Sequence, residues 1–116
     1  MVEKKTLFQR IMDREESGDI LYEDDRCVAL RNINPQTPIH IPTLPRKPIP
    51  TLDYLTCDDA PLVGHLLFLV ARKVAAEEGL TGAYRTVFNN GRDANQTVWH
   101  LHLHLLGGRR MSWSPG

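Results

Sequence analysis

The chain has 116 residues, with 14 acidic against 14 basic side chains and a formal charge of zero. That fits a single domain (1–116) with one core and lacks the basic excess of a general nucleic-acid or membrane-surface binder. No long apolar run offers a membrane span, and the charged start Met1-Val2-Glu3-Lys4-Lys5 lacks a signal-peptide core. Cys27 and Cys57 form neither a Cys-x-x-Cys pair nor a disulfide framework, so the expected setting is soluble and reducing: the cytoplasm, or the nucleus too in a eukaryote.

Thr6 is placed to cap a short helix in which Leu7, Phe8, Ile11 and Met12 share a face, with Gly18 marking its far side. Ile20 to Tyr22 and Cys27 to Leu30 read as two short strands around the acidic turn Glu23-Asp24-Asp25-Arg26, hence a hairpin. Cys27 reads as a small buried hydrophobe. After a turn-rich Asn32 to Pro38, the spacing predicts a strand over Ile39 to Leu44. Pro42 and Pro45 interrupt it, because proline cannot donate a ladder hydrogen bond.

The long helix comes next. Asp58 or Asp59 caps it, Pro61 suits its first turn and Gly79 ends it. Leu62, Leu66, Leu69, Val70 and Val74 form its apolar stripe, while Arg72, Lys73, Glu77 and Glu78 lie off it. Gly64 costs ~1 kcal/mol relative to Ala inside a helix, which predicts close approach by another element. His65 is a surface or packing residue without chemistry. Tyr84 to Asn89 is a further strand, Asn90 to Asn95 a turn-rich loop. The order β-β-β-α-β-β after a leading helix predicts an α+β domain, an antiparallel sheet with helices packed on it.

The last strand carries the chemistry. In His100-Leu101-His102-Leu103-His104-Leu105-Leu106, closed by Gly107-Gly108, histidines alternate strictly with leucines. Alternation puts Leu101, Leu103 and Leu105 into a core and three imidazoles in a row on the other side. Imidazole serves as base, acid or nucleophile near neutral pH. A zinc site is one reading. Yet His100 and His104 lie ~13 Å apart along a regular strand, and each reaches only ~5–6 Å including its bond to the ion. Three therefore cannot meet on one metal, although two completed by His40 or Asp93 still can. An array reading one extended ligand, such as a phosphate chain, fits better.

This row resembles the histidine-triad pattern, His-φ-His-φ-His-φ-φ with φ apolar, and the chain is similar to the Hint (histidine triad nucleotide-binding) branch of the HIT superfamily. Leu21-Tyr22-Glu23-Asp24-Asp25, Asn34-Pro35-Gln36-Thr37-Pro38, Gly64-His65-Leu66, Gly79-Leu80, Tyr84-Arg85, Gln96-Thr97-Val98-Trp99 and the tail Gly107 to Gly116 carry the rest of the likeness, which spans nearly the whole chain. It implies a five-stranded antiparallel sheet with two helices, and a homodimer with one continuous sheet. It also implies a hydrolase of purine nucleoside phosphoramidates (AMP- or GMP-type), typically adenosine 5′-monophosphoramidate and AMP-lysine-like compounds, needing no metal or other cofactor. By the resemblance His102 attacks the α-phosphorus to give a nucleotidyl-imidazole. His100 and His104 orient it and bind phosphate oxygens, and His40 supports them. Asn89, Gly91, Gln96 and Thr97 fall at positions contacting the phosphate and leaving group. Leu30 to Asn32 and Ile33 fall at the base and ribose pocket, and Trp113 reaches across the dimer. The physics agrees: a neutral imidazole is a competent nucleophile, its neighbours can stabilise phosphoryl charge, and the Thr97 hydroxyl can help protonate a leaving amine.

Three positions depart from the branch. Asn32 stands where Asp is usual, which predicts weaker ribose recognition, with Arg31 beside it as a compensating cation. Pro42 and Pro48 alter the segment after His40, Pro48 removing a histidine. Thr97 replaces the commoner Ser and keeps the hydroxyl. Two rivals to the phosphoramidase remain. A dinucleoside polyphosphate hydrolase would usually carry Gln just past the triad, where this chain has Leu106 and Gly107. The other is a non-catalytic nucleotide-binding or partner-docking protein.

Overall fold

The computed structural model describes residues 4–116. Thr6 starts the first helix, α1 (Leu7–Met12), its hydroxyl accepting from the Gln9 N–H at 3.1 Å. The helix ends well before Gly18, so that glycine is not its far boundary. Gly18 lets the chain pass close beneath the helix instead: a Cβ there would lie 2.6 Å from Ile11 Cγ2. β1 (Ile20–Glu23) and β2 (Cys27–Leu30) form the expected hairpin. The Asp24 carboxylate closes its turn by accepting the N–H groups of Arg26 and Cys27 at 2.8 and 2.7 Å.

β3 (Ile39–Pro45) crosses the centre of the sheet without a break, which corrects the expectation that its prolines interrupt it. The reason is the direction of each backbone nitrogen. The Arg46 N–H donates to Arg26 O at 2.8 Å and the Asn32 N–H to His40 O at 3.0 Å, so even-numbered residues of β3 turn their polar groups to β2. Pro42 thus deletes one rung opposite Leu30 and none toward the last strand, β5 (Leu103–Gly107). The β2–β3 pairing accordingly ends at Ala29↔Thr43, while β3–β5 pairing runs on from Thr43↔Leu103 to Ile39↔Gly107. Pro45 lies beyond the last β3–β5 pair.

The long helix, α2, spans 60–77 in three stretches: Ala60–Gly64 in α geometry, His65–Ala71 in π geometry, Arg72–Glu77 in α again. Asp59 anchors its start by accepting the Thr56 N–H at 2.9 Å, and Pro61 sits in the first turn. Gly79, at φ 78°, ends it, with the Leu80 N–H reaching back to Ala75 O at 2.9 Å. The wider π turns keep Leu66, Val70, Ala71, Val74 and Ala75 inward. Leu69, expected in the stripe, is 51% exposed together with Leu67 and Phe68. Around Gly64, a Cβ would meet nothing within 4 Å, so no element among the described residues makes the close approach expected there.

β4 (Arg85–Phe88) pairs with β5 and completes a five-stranded antiparallel sheet in the order β1-β2-β3-β5-β4. α2 covers one face, packing Leu66, Val70 and Val74 on Cys27, Ala29, Ile41, Leu103 and Leu105. α1 covers part of the other, where Ile11 and Met12 meet Val28, Leu30 and Leu44. The fold is the α+β sheet-and-helix arrangement the sequence predicts. No helix among the described residues is long and apolar enough to cross a membrane.

Candidate active site

β5 begins at Leu103, so only His104 of the three histidines lies within the strand; His100 sits in a bend and His102 in the irregular segment just before it. Alternation persists across that boundary: Leu101, Leu103 and Leu105 are all buried. The histidine face is not wet, because α1 lies over it, and His100 and His102 are 1% and 6% exposed. Phe8 meets the His102 ring edge-on, with centroids 4.8 Å apart.

Hydrogen bonds settle which nitrogens carry protons, since a carbonyl oxygen only accepts. His100 Nε2 lies 2.6 Å from Pro45 O and therefore donates. His102 Nδ1 lies 2.6 Å from His100 O and donates as well, which leaves the lone pair on Nε2. His40 Nδ1 accepts the Gln36 N–H at 3.1 Å, so neutral His40 holds its proton on Nε2 and donates it to His104 Nδ1 at 2.8 Å. His104 then presents an N–H at its own Nε2. His102 and His104 pack edge to face at 4.7 Å. A nucleophilic lone pair thus stands beside a hydrogen-bond donor.

Burial pushes all four imidazoles below the ordinary histidine value, His104 to about 4 with the charges of His102 and His40 adding to the effect. They are neutral at physiological pH, as a nucleophile must be. Neither His102 Nε2 nor His104 Nε2 has a partner among the described residues. No side-chain nitrogen or oxygen there is both buried and unpartnered, so these two atoms open outward.

They open into a cleft of about 140 Å³ lined by Leu7, Phe8, Ile11, Leu30, Arg31, Asn32, Ile33, Pro42, Thr97, Val98, His102 and His104. The structure thus brings together His102, His104, Thr97, Leu30, Asn32 and Ile33 of the expected site. His40 stands behind His104, and His100 behind His102. Arg31 is engaged elsewhere, bound to Glu78 at 2.9 Å and Asp19 at 3.3 Å. Asn89, Gly91 and Gln96 do not line the cleft. The Gln96 amide braces its own loop, accepting the Gly91 N–H at 2.9 Å and donating to Pro50 O and Val98 O. Gly91, at φ 88°, lets that loop turn. Trp113 is 85% exposed and away from the cleft of its own chain. Asp93 is exposed and paired with Arg92, and it does not line the cleft. His65 is a packing residue, as expected, held by Asp24 Oδ2 at 2.7 Å.

The sequence reading missed the cleft's roof. Leu7, Phe8 and Ile11 looked like an ordinary core-facing helix side, and Pro42 like an interruption. The available signal was the histidine row itself: buried imidazoles need a cover, and α1 is the element left without a strand to sit on.

Comparison with known proteins agrees with this geometry. The HIT domain family profile matches residues 13–111. An uncharacterized HIT-like protein of Synechocystis sp. is 50% identical over 111 residues, 96% of either chain. A HIT family hydrolase of Legionella pneumophila superimposes with a TM-score of 0.92 at 42% identity, covering 97% of this chain and all of that one. One from Clostridium thermocellum gives 0.90 at 36% identity over 96% of both chains.

Proposed function

This chain belongs to the HIT domain family and is hydrolase-like, and from that premise we propose that it is a nucleoside phosphoramidase opening the P–N bond of adenosine 5′-monophosphoramidates. In the first step His102 Nε2 attacks the α-phosphorus. An N–P bond forms, the substrate's P–N bond breaks, and the amine leaves with a proton relayed from the Thr97 hydroxyl on the cleft wall. His104 N–H stabilises the charge gathering on a phosphoryl oxygen. In the second step water attacks the nucleotidyl-imidazole and gives up a proton that restores the Thr97 hydroxyl; a P–O bond forms, the His102 N–P bond breaks, and AMP leaves with the neutral ring restored. Leu7, Phe8, Ile11, Leu30 and Ile33 supply apolar walls for a purine.

One observation carries this reading: the His100 carbonyl holds the His102 proton on Nδ1 and leaves the opposite nitrogen bare in the cleft. Apolar Leu106 just past the triad, where a dinucleoside polyphosphate hydrolase would usually carry the amide of Gln, supports a phosphoramidate over a dinucleoside polyphosphate as substrate. A second copy is proposed to sit on α2, where Leu67, Phe68 and Leu69 are exposed and Gly64 leaves room, extending the sheet and bringing each Trp113 toward the other cleft. The test is AMP release from an adenosine phosphoramidate against release from a diadenosine polyphosphate. Turnover of the first at a much higher kcat/KM supports the proposal; preference for the second, or turnover of neither, overturns it.

A further inference from the structure

We propose that Gln96 is a positioning residue for proton delivery, its buried amide fixing Thr97 on the cleft wall so that the hydroxyl meets the departing amine; this rests on the reading of the chain as a phosphoramidase. Gln96 is 5% exposed and does not itself line the cleft, whereas Thr97 does. The amide binds three separate points of the backbone. Its Oε1 accepts the Gly91 N–H at 2.9 Å, and its Nε2 donates to Pro50 O at 2.7 Å and to Val98 O at 3.1 Å. Both donor protons are thereby used. The Gln96 N–H also returns to Gly91 O at 3.0 Å, so residues 91 and 96 are tied twice.

The bond to Val98 O has Thr97 between its two ends. It therefore fixes the backbone on both sides of the threonine. The bond to Pro50 O ties this clamp to the segment after β3, where the neighbouring Ile49 O takes the Leu101 N–H at 2.6 Å. The Thr97 hydroxyl has no protein partner among the described residues, so the clamped backbone alone decides where it stands. The step it serves needs that control. Thr97 gives its proton to nitrogen as the P–N bond breaks, and takes one back from water in the second step. Such a transfer requires hydrogen-bond reach to the leaving nitrogen, and a misplacement of about 1 Å can cost about 10²-fold.

The experiment uses Gln96→Met, which keeps the length and removes the amide's bonds, and Gln96→Glu, which keeps an acceptor and loses both donors. Circular dichroism checks the fold of each, and either one carries the comparison if the other does not fold. Release of the leaving group in the first turnover reads the first step alone. One substrate is an adenosine phosphoramidate of an alkylamine, which needs a proton to leave. The other is the nitrophenyl ester of AMP, whose nitrophenolate leaves without one. Gln96→Met should slow amine release by about tenfold or more, a share of the ~10²–10⁴ that a positioned acid contributes. Nitrophenolate release should stay near wild type. On a Thr97→Ala background the same substitution should add nothing. Gln96→Glu should be slow at neutral pH and recover as pH falls and its carboxyl regains an O–H donor. Equal losses on the two substrates, or losses that add to those of Thr97→Ala, overturn the proposal and leave Gln96 a plain loop brace. Methyl relaxation of Thr97 in the substrate-free protein gives the independent reading: one fixed rotamer in wild type, averaging in Gln96→Met. Unchanged Thr97 signals overturn the proposal as well. A wild type that releases no amine removes the phosphoramidase reading, while the methyl signals still decide whether Gln96 holds Thr97.

Discussion

Substituting His104 by Gln and comparing stability at about pH 7 and about pH 5 isolates what burial of this imidazole costs. Folded His104 is held near 4 chiefly by burial, against an ordinary value of 6.5. Between those values the unfolded chain binds a proton that the folded chain refuses. The stability is therefore fully present above about 6.5 and is lost as pH falls toward about 4. Each pH unit inside that window is worth about 1.4 kcal/mol, so the step from pH 7 to pH 5 costs ~2 kcal/mol from His104 alone. His40, His100 and His102 are also pushed down, by burial first, and add to the loss. Two paired carboxylates act below this range: Asp13, held down by Lys5, and Asp59, held down by Lys47, start from 3.8 and lose their share below it. Urea unfolding followed by circular dichroism, at one protein concentration throughout, gives the free energies. Wild type should lose ~2 kcal/mol more than His104→Gln across that step. Equal losses in the two proteins would show that His104 is not kept neutral by its surroundings, and the tautomer assignment along His40 and His104 would fall with it.

Replacing His102 with Ala should abolish AMP release while nucleotide binding, read by calorimetry, stays measurable; a variant retaining wild-type kcat would remove the nucleophile. Turnover should survive exhaustive chelation, because His102 Nε2 offers a lone pair to the cleft while the neighbouring His104 presents an N–H, which leaves an ion one nitrogen ligand from the pair; loss with chelator and recovery with zinc would restore the metal reading. Phe68→Asp, on the exposed side of α2, should leave the fold intact by circular dichroism and yield a monomer by light scattering. A wild type already monomeric at micromolar concentration would refute the dimer.

Periodicity made most of the sheet legible, because strand identity depends on side-chain alternation and turn chemistry that are local in sequence. The acidic hairpin turn, the histidine strand and the Pro61-to-Gly79 helix all carried such signals. Two features did not, for one physical reason: a backbone hydrogen-bond pattern has no side-chain signature. Whether Pro42 breaks β3 depends on which neighbour its nitrogen faces, and the register with β2 settles that only in three dimensions. The π geometry of residues 65–71 likewise turns Leu69 outward without any change in composition.

The site divides along the same line. His102, His104, Thr97 and Asn32 were legible as chemistry, since their residue types are costly or unusual on a plain sheet face. What makes them a site was not. Three imidazoles set against apolar walls lose their hydration, and each polar nitrogen must then find a partner or an opening. Pro45 O, His100 O and the Gln36 N–H satisfy the inner nitrogens of His100, His102 and His40; the first of these partners lies 55 positions away and is brought in by the segment that continues β3 beside β5. The outer nitrogens of His102 and His104 are left to the cleft, whose wall Phe8 forms by packing on the His102 ring with centroids 4.8 Å apart. Removing that cover by Phe8→Ala should rehydrate His102 and raise its titration toward the ordinary histidine value, while also stripping apolar wall from the purine site. NMR titration of His102 reads the first effect and KM the second. If His102 titrates unchanged in Phe8→Ala, the burial that keeps the nucleophile neutral comes from β2 and β3 alone, and α1 serves only the ligand.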